Sequence, residues 1–350
     1  MKNILLVIDG FGHGGIQQAY KILINEFNKT YGRVFLIILE SDGKELDIDA
    51  EKNLTVVRFK SKKLFDIRNI YRFKKIIDEA QPEIIISSIY RSQIWSACVK
   101  PKASKLVWIE HNTYYQRTKL QWKLMKVFSR RVDKIVGVSF DVSNFSGSKL
   151  NKPVVTIPNP YTHKSFIQIA KKRSNDFIFV ARLTSQKNPE LMILCFAEFV
   201  RTYDSSSKLH VVGGGAMLES LKLMADELGL RDNCIFHGYV PISKVQELMQ
   251  NSKTLISTSR FEGMALVRLE ALANGCCVVS TNTGGTDLFD SARNHGFFIV
   301  DSDVTNIAKV MFESLELRYW SKENIEARKA IVKHFQPSVI ASQLVEFNQL

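Results

Sequence analysis

The sequence predicts an α/β protein of two doubly wound domains, each a parallel sheet covered by helices on both faces. Three observations predict this fold class. The chain has 350 residues, which exceeds the roughly 100–200 residues of one domain. Apolar runs of strand length alternate with segments of helical spacing. The alternation stops at a Pro-rich segment, residues 157–165, and then begins again.

The first half is predicted to hold seven strands, because its apolar runs are continuous, as in parallel sheets that are buried on both faces. A segment of helical spacing, residues 16–29, follows the first run. We therefore expect an N-terminal domain over residues 1–160, with the C-terminal segment 335–350 packing back onto it. The predicted strands are residues 3–8, 33–39, 54–59, 83–88, 105–110, 134–138 and 153–157.

The second half repeats the pattern and is predicted to form a domain over residues 168–334. Ligands of doubly wound sheets bind beyond the carboxyl ends of the strands, so we expect the two domains to face each other across a central cleft. The predicted strands are residues 176–181, 208–213, 234–237, 253–257, 276–281 and 297–300, and helical spacing is found at 188–202, 215–228, 264–274 and 303–317.

Composition is typical of a cytoplasmic globular protein, since 45% of the residues are hydrophobic and 24% are charged. The five cysteines form no C-x-x-C pair and no zinc spacing, so we expect reduced thiols that pack as small core residues. The N-terminus lacks a signal-peptide pattern, and no apolar run reaches the ~18 residues of a membrane span. We therefore expect a cytoplasmic protein without a spanning segment.

The net charge of +13 lies entirely in the first half of the chain. Residues 1–165 carry 28 Lys and Arg against 15 Asp and Glu, whereas residues 166–350 carry 20 of each. Two stretches, 58–75 and 114–134, interleave the bases with aromatic and aliphatic residues. One such stretch is compatible with a solvated helix face, but two together favour a polyanionic partner. We expect an anionic membrane surface at the inner face of the cell membrane, and no nucleic acid.

A glycine-rich turn after the first strand admits two interpretations. Gly10, Gly12 and Gly15 satisfy G-x-G-x-x-G, and Glu40 follows the second strand, where a dinucleotide-binding enzyme has its ribose-binding acid. The weaker interpretation is a turn at Gly14 and Gly15 that opens a helix and presents backbone N–H groups to an anion. Both interpretations predict phosphate binding.

Residues 260–275 carry a second motif. Glu262 precedes a predicted helix, and Glu270 lies within it. The helix N-terminus at Ala265, Leu266 and Val267 offers free N–H groups to a phosphate. Carboxylates on either side of these amides can bind hydroxyl groups on two parts of one ligand.

Two cations follow the first strand of the second half. Arg182 comes directly after this strand, and Lys187 precedes a helix whose first residue is expected to be Pro189. The Arg fork and the Lys point charge suit a diphosphate. Each charged residue alone is more often a solvated side chain, so it is their combination that predicts a site.

The combination resembles the retaining, GT-B-fold nucleotide-sugar glycosyltransferases of family 4. The resemblance covers essentially the whole chain. It is strongest over residues 179–287, which include VGGG (212–215), FHGYV (236–240) and NTGGTD (282–287). The first half resembles the family through Gly14, Gly15 and His111 in WIEHNT.

The resemblance implies a role for each site residue. Glu262 contacts the donor sugar, Glu270 contacts the ribose, and Arg182 and Lys187 hold the diphosphate. His111 positions the sugar without acting as a base, and its alternative is an ordinary buried histidine. These roles make Glu262, His111, Arg182 and Lys187 the catalytic set. The donor-binding set is Gly14, Gly15, Gly213, Tyr239, Met264, Ala265, Leu266, Val267 and Glu270.

The family's mechanism is front-face attack with retention, in which a donor phosphate oxygen accepts the proton of the acceptor. The cations and the helix N-terminus stabilise the leaving diphosphate electrostatically. We expect no cofactor and no metal, because the D-x-D strings at 47–49 and 301–303 are better interpreted as loop charge and helix caps. Met264 and Ala265 stand where the family often has Pro or Gly, which leaves the identity of the donor sugar open.

We expect a UDP-sugar donor, with GDP as the alternative nucleotide, and a lipid-linked or other membrane-associated bacterial glycan as acceptor. Two other functions remain open. A nucleotide-sugar epimerase of the same fold would share the donor contacts but needs no acceptor. A nucleic-acid-binding protein would use the basic half but would leave the charged residues of the second half unexplained.

Overall fold

The computed structural model describes residues 2–11, 14–41, 53–112, 117–162 and 173–347. The chain divides into two compact units. Unit 1 comprises Met1–Thr162 and Phe335–Leu350, and unit 2 comprises His163–His334. Each unit is a parallel sheet with helices packed against it, which confirms the predicted pair of doubly wound domains.

Unit 1 contains a parallel sheet of seven strands in its described residues. The strand order reverses between the first and the fourth strand, which are neighbours in the sheet. The chain continues from the first strand toward one edge of the sheet and from the fourth strand toward the other edge. The strands are β1 (Asn3–Ile8), β2 (Arg33–Ile38), β3 (Leu54–Arg58), β4 (Ile84–Ser88), β5 (Lys105–Glu110), β6 (Lys134–Gly137) and β7 (Val155–Thr156), in the spatial order β3-β2-β1-β4-β5-β6-β7.

The helices of unit 1 begin at residues that satisfy their first N–H groups. The Asp66 carboxylate accepts the N–H of Asn69, and Thr118 and Gln121 form a capping box. These caps fix the starts of two helices that carry many of the exposed bases. The helices are α1 (Gly15–Thr30), α2 (Ile67–Ala80), α3 (Tyr90–Val99), α4 (Lys119–Phe128) and α5 (Phe140–Leu150).

Unit 2 contains a parallel sheet of six strands in its described residues. Its order also reverses, between the first and the fourth strand of the unit, which makes this the switch point of unit 2. The strands are β8 (Ser174–Val180), β9 (Leu209–Val212), β10 (Cys234–Gly238), β11 (Ser252–Ser257), β12 (Cys277–Thr281) and β13 (Phe297–Val300), in the order β10-β9-β8-β11-β12-β13.

The helices of unit 2 follow the predicted segments with three differences. Pro189 is the first residue of its helix, as expected, but the predicted helix 303–317 ends at Glu313 and a short 3₁₀ helix, Leu317–Trp320, follows it. The helices at Ile242–Asn251 and Lys322–Val332 lie outside the predicted segments. The helices are α6 (Pro189–Thr202), α7 (Leu218–Glu227), α8 (Ile242–Asn251), α9 (Leu266–Ala273), α10 (Val304–Glu313) and α11 (Lys322–Val332).

The C-terminal helix α12 (Pro337–Val345) belongs to unit 1 and packs against α1. Ile340 and Leu344 of α12 are buried and line a small cavity together with Ala19 and Leu23 of α1. Lys134 of β6 donates hydrogen bonds to the carbonyl oxygens of Gln343 and Glu346, which fixes the end of the helix.

The cysteines agree with the expectation of free thiols that pack in the core. All five cysteines lie within the described residues as free thiols, and four of them are buried. Among the helices of the described ranges, none combines the length and the hydropathy that crossing a bilayer requires.

Candidate functional site

The switch point of unit 2 brings together two loops that carry predicted site residues. The loop after β8 holds Arg182 and Lys187, and the loop after β11 holds Glu262. A doubly wound sheet opens a ligand crevice where neighbouring strands lead in opposite directions. The structure therefore places these three charged residues where a sheet of this topology binds ligands.

Lys187 and Glu262 form an ion pair across the two loops. The Lys187 ammonium donates to Oε1 of Glu262, and both side chains are largely buried. The loops are also bonded directly, because the Arg260 N–H donates to the Gln186 carbonyl at 2.8 Å and the Gln186 amide donates to the Phe261 carbonyl at 3.2 Å. The ion pair is therefore held by its main-chain surroundings.

Asn188 shapes the loop that carries Lys187. Its backbone has φ +50°, in the left-handed region that Asn tolerates, and it directly precedes Pro189 at the start of α6. The Thr258 hydroxyl donates to the Asn188 carbonyl at 2.9 Å, and Arg260 donates to its side-chain oxygen at 3.1 Å. These bonds attach the turn to the loop after β11.

Ser259 is a further contact of Glu262 that the sequence analysis missed. Its hydroxyl donates to Oε1 of Glu262 at 2.6 Å, the same oxygen that Lys187 binds. The only signal in the sequence is a serine three residues before the glutamate, which is too common a spacing to single out.

The N-terminus of α9 lies four residues after Glu262. Ala265 precedes the helix and no side chain caps it, so the N–H groups of Leu266 and Val267 have no intrahelical acceptor. Met264 and Ala265 are buried. This arrangement presents backbone donors and the positive end of the helix dipole to an anion.

Glu270 lies inside α9. The surrounding protein desolvates its carboxyl group and raises its pKa to about 7. Within the described ranges, no side chain or backbone group donates a hydrogen bond to this carboxylate. Glu270 can therefore offer an acceptor to ligand hydroxyl groups when it is ionised.

Arg268 is a second residue that the sequence analysis missed. Its guanidinium is fully buried, and it donates to the Gly284 carbonyl at 3.2 Å and to the Thr283 hydroxyl. A Cβ atom on Gly284 would lie 2.2 Å from the Glu262 carbonyl oxygen. Only glycine therefore lets the 283–284 turn approach the backbone of Glu262, and Arg268 ties this turn to α9.

The turns after β8, β9 and β10 meet beside Arg182. Gly213 has φ +121°, and a Cβ atom there would lie 2.0 Å from the Ala181 carbonyl oxygen, so the close approach requires glycine. Tyr239 is 79% exposed, and its hydroxyl donates to the Gly214 carbonyl at 3.3 Å. Arg182 is exposed and forms no ion pair with another described side chain. The turns thus present one aromatic ring and one cation to a ligand.

His111 lies in unit 1, directly after β5. Its Nε2 is 2.9 Å from the Ser88 hydroxyl, which accepts a hydrogen bond from Tyr20 at 2.7 Å. Burial lowers the pKa of His111 to about 3, so the imidazole is neutral at physiological pH. A group with this pKa is a poor general base, and its role toward a sugar stays a prediction.

The glycine-rich turn is described in part, since Gly12 lies outside the described residues. Gly14 precedes α1 in an extended conformation, and Gly15 is the first helical residue. No side chain caps this helix, so its first N–H groups have no intrahelical acceptor. The Glu40 carboxylate accepts a hydrogen bond from Arg91 at 2.7 Å.

Of the two D-x-D strings, only the one at 301–303 lies within the described residues. Asp303 caps α10 by accepting the Asn306 N–H at 2.7 Å, as predicted. The string at 47–49 lies outside the described residues. Across the described ranges, no three His, Cys, Asp or Glu side chains are grouped to hold a metal ion, and metal independence stays a prediction.

Comparisons with known proteins match both halves of the chain. The model of the family described as Glycosyl transferases group 1 matches residues 162–333, and that of Glycosyltransferase Family 4 matches residues 13–164. The structure is similar to the crystal structure of Anabaena Alr3699/HepE in complex with UDP, with a TM-score of 0.79, 16% identity and 98% of both chains covered.

Two bacterial enzymes are similar in sequence. One is the GalNAc-alpha-(1->4)-GalNAc-alpha-(1->3)-diNAcBac-PP-undecaprenol alpha-1,4-N-acetyl-D-galactosaminyltransferase of Campylobacter jejuni, which is 23% identical over 98% of this chain and 97% of its own length. The other is the lipopolysaccharide 1,6-galactosyltransferase of Salmonella typhimurium, which is 23% identical over 72% of this chain and 71% of its own length.

Proposed function

The chain belongs to the GT-B glycosyltransferases of group 1 and family 4, and from this premise we propose that it transfers a hexose or N-acetylhexosamine from a UDP-sugar to a sugar hydroxyl of a membrane-associated bacterial glycan. We propose further that transfer retains the anomeric configuration and needs no metal. The observation that carries the donor half of this proposal is the ion pair of Lys187 and Glu262 at the switch point of unit 2.

The donor's charge determines where it binds. The diphosphate is drawn to Lys187, to the exposed Arg182 and to the N–H groups of Leu266 and Val267, where positive charge and backbone donors coincide. These groups bind the leaving diphosphate more tightly as its negative charge grows during bond breaking. Removing one such contact typically slows an enzyme by ~10²–10³-fold.

The other donor-binding residues take the neutral parts of the nucleotide sugar. Glu262 accepts a hydrogen bond from a sugar hydroxyl, Glu270 accepts from the ribose, and the exposed ring of Tyr239 offers a stacking surface to the base. The proton of the acceptor hydroxyl passes to a phosphate oxygen of the donor, so no side chain is required as the base. The neutral His111 is consistent with a positioning role.

The names of the two similar enzymes support the proposed acceptor. One acts on an undecaprenol-linked saccharide and the other on lipopolysaccharide. Both acceptors are glycans held at a membrane. We extend this class, and not either particular acceptor, to the present chain.

The exposed side chains of α2 and α4 support an anionic membrane surface as partner. Phe65, Ile67 and Tyr71 are exposed at the start of α2, among exposed bases of the stretch 58–75. Along α4 the bases at 119, 123 and 126 are all exposed, as is Leu120. At the surface of an anionic bilayer, such bases bind the lipid headgroups while the apolar side chains insert among the acyl chains.

A panel of nucleotides and nucleotide sugars tests the proposed function. We expect UDP to raise the melting temperature more than GDP, and at least one UDP-sugar to be consumed in the presence of a lipid-linked glycan extract, with EDTA having no effect. Proton NMR of the product should show the anomeric configuration of the donor. Conversion of the donor to its C2 epimer without any acceptor would instead indicate the epimerase.

UDP affinity should depend on the ionisation of Glu270. Ribose hydroxyl groups donate to the carboxylate form, and this form increases as the pH rises through the pKa of about 7. We expect UDP to bind on the order of tenfold more tightly at pH 8 than at pH 6, measured by calorimetry. Glu270→Gln should lose this component and keep only the pH dependence of the phosphate itself. Parallel profiles in the two proteins would contradict the ribose contact.

A further inference from the structure

Glu262 is bound through one of its two carboxylate oxygens. Lys187 and Ser259 both donate to Oε1. Within the described ranges, no group donates to Oε2. A carboxylate that is held in this way keeps one orientation and presents its second oxygen as an acceptor.

Ser259 is itself fixed by its surroundings. It is 5% exposed, and its carbonyl accepts a hydrogen bond from the Thr281 hydroxyl at 2.8 Å. The Thr281 hydroxyl also lies 3.3 Å from the Ser257 carbonyl. The loop after β11 is therefore attached to the end of β12, and the Ser259 hydroxyl is directed at Glu262 by a backbone that has little freedom.

We infer that Ser259 is a positioning residue, which together with Lys187 fixes Oε1 of Glu262 so that Oε2 accepts a hydrogen bond from one hydroxyl of the donor sugar. The inference rests on the proposed function, because it assumes that a nucleotide sugar binds at this site. Beyond that function, the inference names Ser259 as the residue that orients the carboxylate and Oε2 as the oxygen that binds the sugar.

The two donors to Oε1 differ in what else they can bind. The Lys187 ammonium has three N–H bonds, so it can hold Glu262 and a phosphate oxygen together. The Ser259 hydroxyl has one O–H bond, and it uses this bond to donate a hydrogen bond to Glu262. Loss of Lys187 therefore affects both diphosphate and sugar, whereas loss of Ser259 affects only the sugar.

The test compares UDP with UDP-glucose, UDP-galactose and their two N-acetylhexosamine counterparts. Calorimetry on the wild type gives the Kd of each UDP-sugar and the Kd of UDP. Ser259→Ala should leave the Kd of UDP within twofold, raise the Kd of the preferred UDP-sugar and lower kcat about 10- to 100-fold, the range for loss of one hydrogen bond to a charged group. Ser259→Thr, which keeps the hydroxyl, should recover most of the lost kcat.

Ser257→Ala is the matched control. Ser257 is also 5% exposed in the same segment, and its hydroxyl does not contact Glu262. We expect this variant to retain wild-type kcat. A second control is the Glu262→Gln background, in which adding Ser259→Ala should cost no further sugar affinity, because Ser259 acts through the carboxylate. Should Ser259→Ala fail to fold, Ser259→Cys, which keeps the size but donates weakly, is expected to show the same loss of kcat.

The outcomes separate this inference from the proposed function. If Ser259→Ala keeps wild-type kcat and sugar affinity while Glu262→Gln loses transfer, the positioning role is wrong and the function stands. If Ser259→Ala weakens UDP and the UDP-sugars equally, Ser259 only supports the loop, and the inference is overturned. If the wild type binds UDP but neither binds nor consumes any of the four UDP-sugars, the proposed donor class fails and the inference fails with it.

Discussion

Glu262→Ala abolishes sugar transfer and leaves UDP binding at least as strong as in the wild type. On the proposed function the Glu262 carboxylate binds the donor sugar, so its removal takes away an interaction that counts in the transition state. We expect kcat/KM with the preferred donor to fall by about 10³-fold or more. UDP loses no contact in this variant, and Lys187 keeps its N–H groups for the diphosphate. Calorimetry with UDP and a transfer assay with the UDP-sugar measure the two effects.

Lys187→Met is the companion variant, because it removes the other member of the ion pair. It should weaken UDP and slow transfer together, since the ammonium binds the diphosphate in both ground state and transition state. Thermal unfolding of both variants checks that the loops remain folded. Near-normal turnover of Glu262→Ala with its proper donor would show that the site has been assigned to the wrong carboxylate.

Charge reversal along α4 releases the protein from anionic vesicles. A base near an anionic leaflet contributes ~1 kcal/mol, so four of them change the partition coefficient by about 10³-fold. The wild type should cosediment with vesicles that contain phosphatidylglycerol, less so as salt rises, and hardly at all with phosphatidylcholine alone. The variant should stay in the supernatant with both. The four substitutions are Lys119→Glu, Lys123→Glu and Lys126→Glu in α4, and Arg130→Glu in the short 3₁₀ helix Ser129–Arg131 that follows it.

The matched control makes the same change of net charge in unit 2. Four exposed bases there, at positions 222, 231, 309 and 322, lie outside the two basic stretches. Changing them to Glu should leave vesicle binding close to that of the wild type. Equal loss in both variants would mean that net charge alone attracts the protein, and binding that ignores lipid charge would rule out the membrane-surface proposal. Neither result bears on the transferase activity.

The strands were predictable because they are buried on both faces. Continuous runs such as residues 3–8 and 105–110 coincide with β1 and β5, since a parallel sheet between two helix layers leaves no polar face. Helix α11 was missed because its sequence is mostly polar, and its packing depends on Arg328, which is fully buried and donates to the carbonyls of His295 and Tyr319. Such tertiary hydrogen bonds leave no periodic pattern in the sequence.

The sequence proposes candidate site residues where a residue type implies a ligand, and their roles toward a donor stay predictions. Glu262, Lys187 and Glu270 carry charge at loop and helix positions that a phosphate or a hydroxyl group needs. Ser259 and Arg268 contact other protein groups instead. In the sequence, Arg268 has the appearance of a solvated helical arginine, yet it is buried against a turn that begins 15 residues later. Partners of this kind are defined only when the chain has folded.

Because α12 belongs to unit 1, the two units become complete in a defined order during synthesis. Unit 2 is one continuous stretch, His163–His334, so every part of its sheet is synthesised before α12. Unit 1 begins first but lacks the helix that covers α1 until residues after Phe335 emerge. Domains generally fold as units during synthesis. The half that is translated first is therefore the half that finishes folding last, and its apolar α1 surface depends on a segment at the opposite end of the chain.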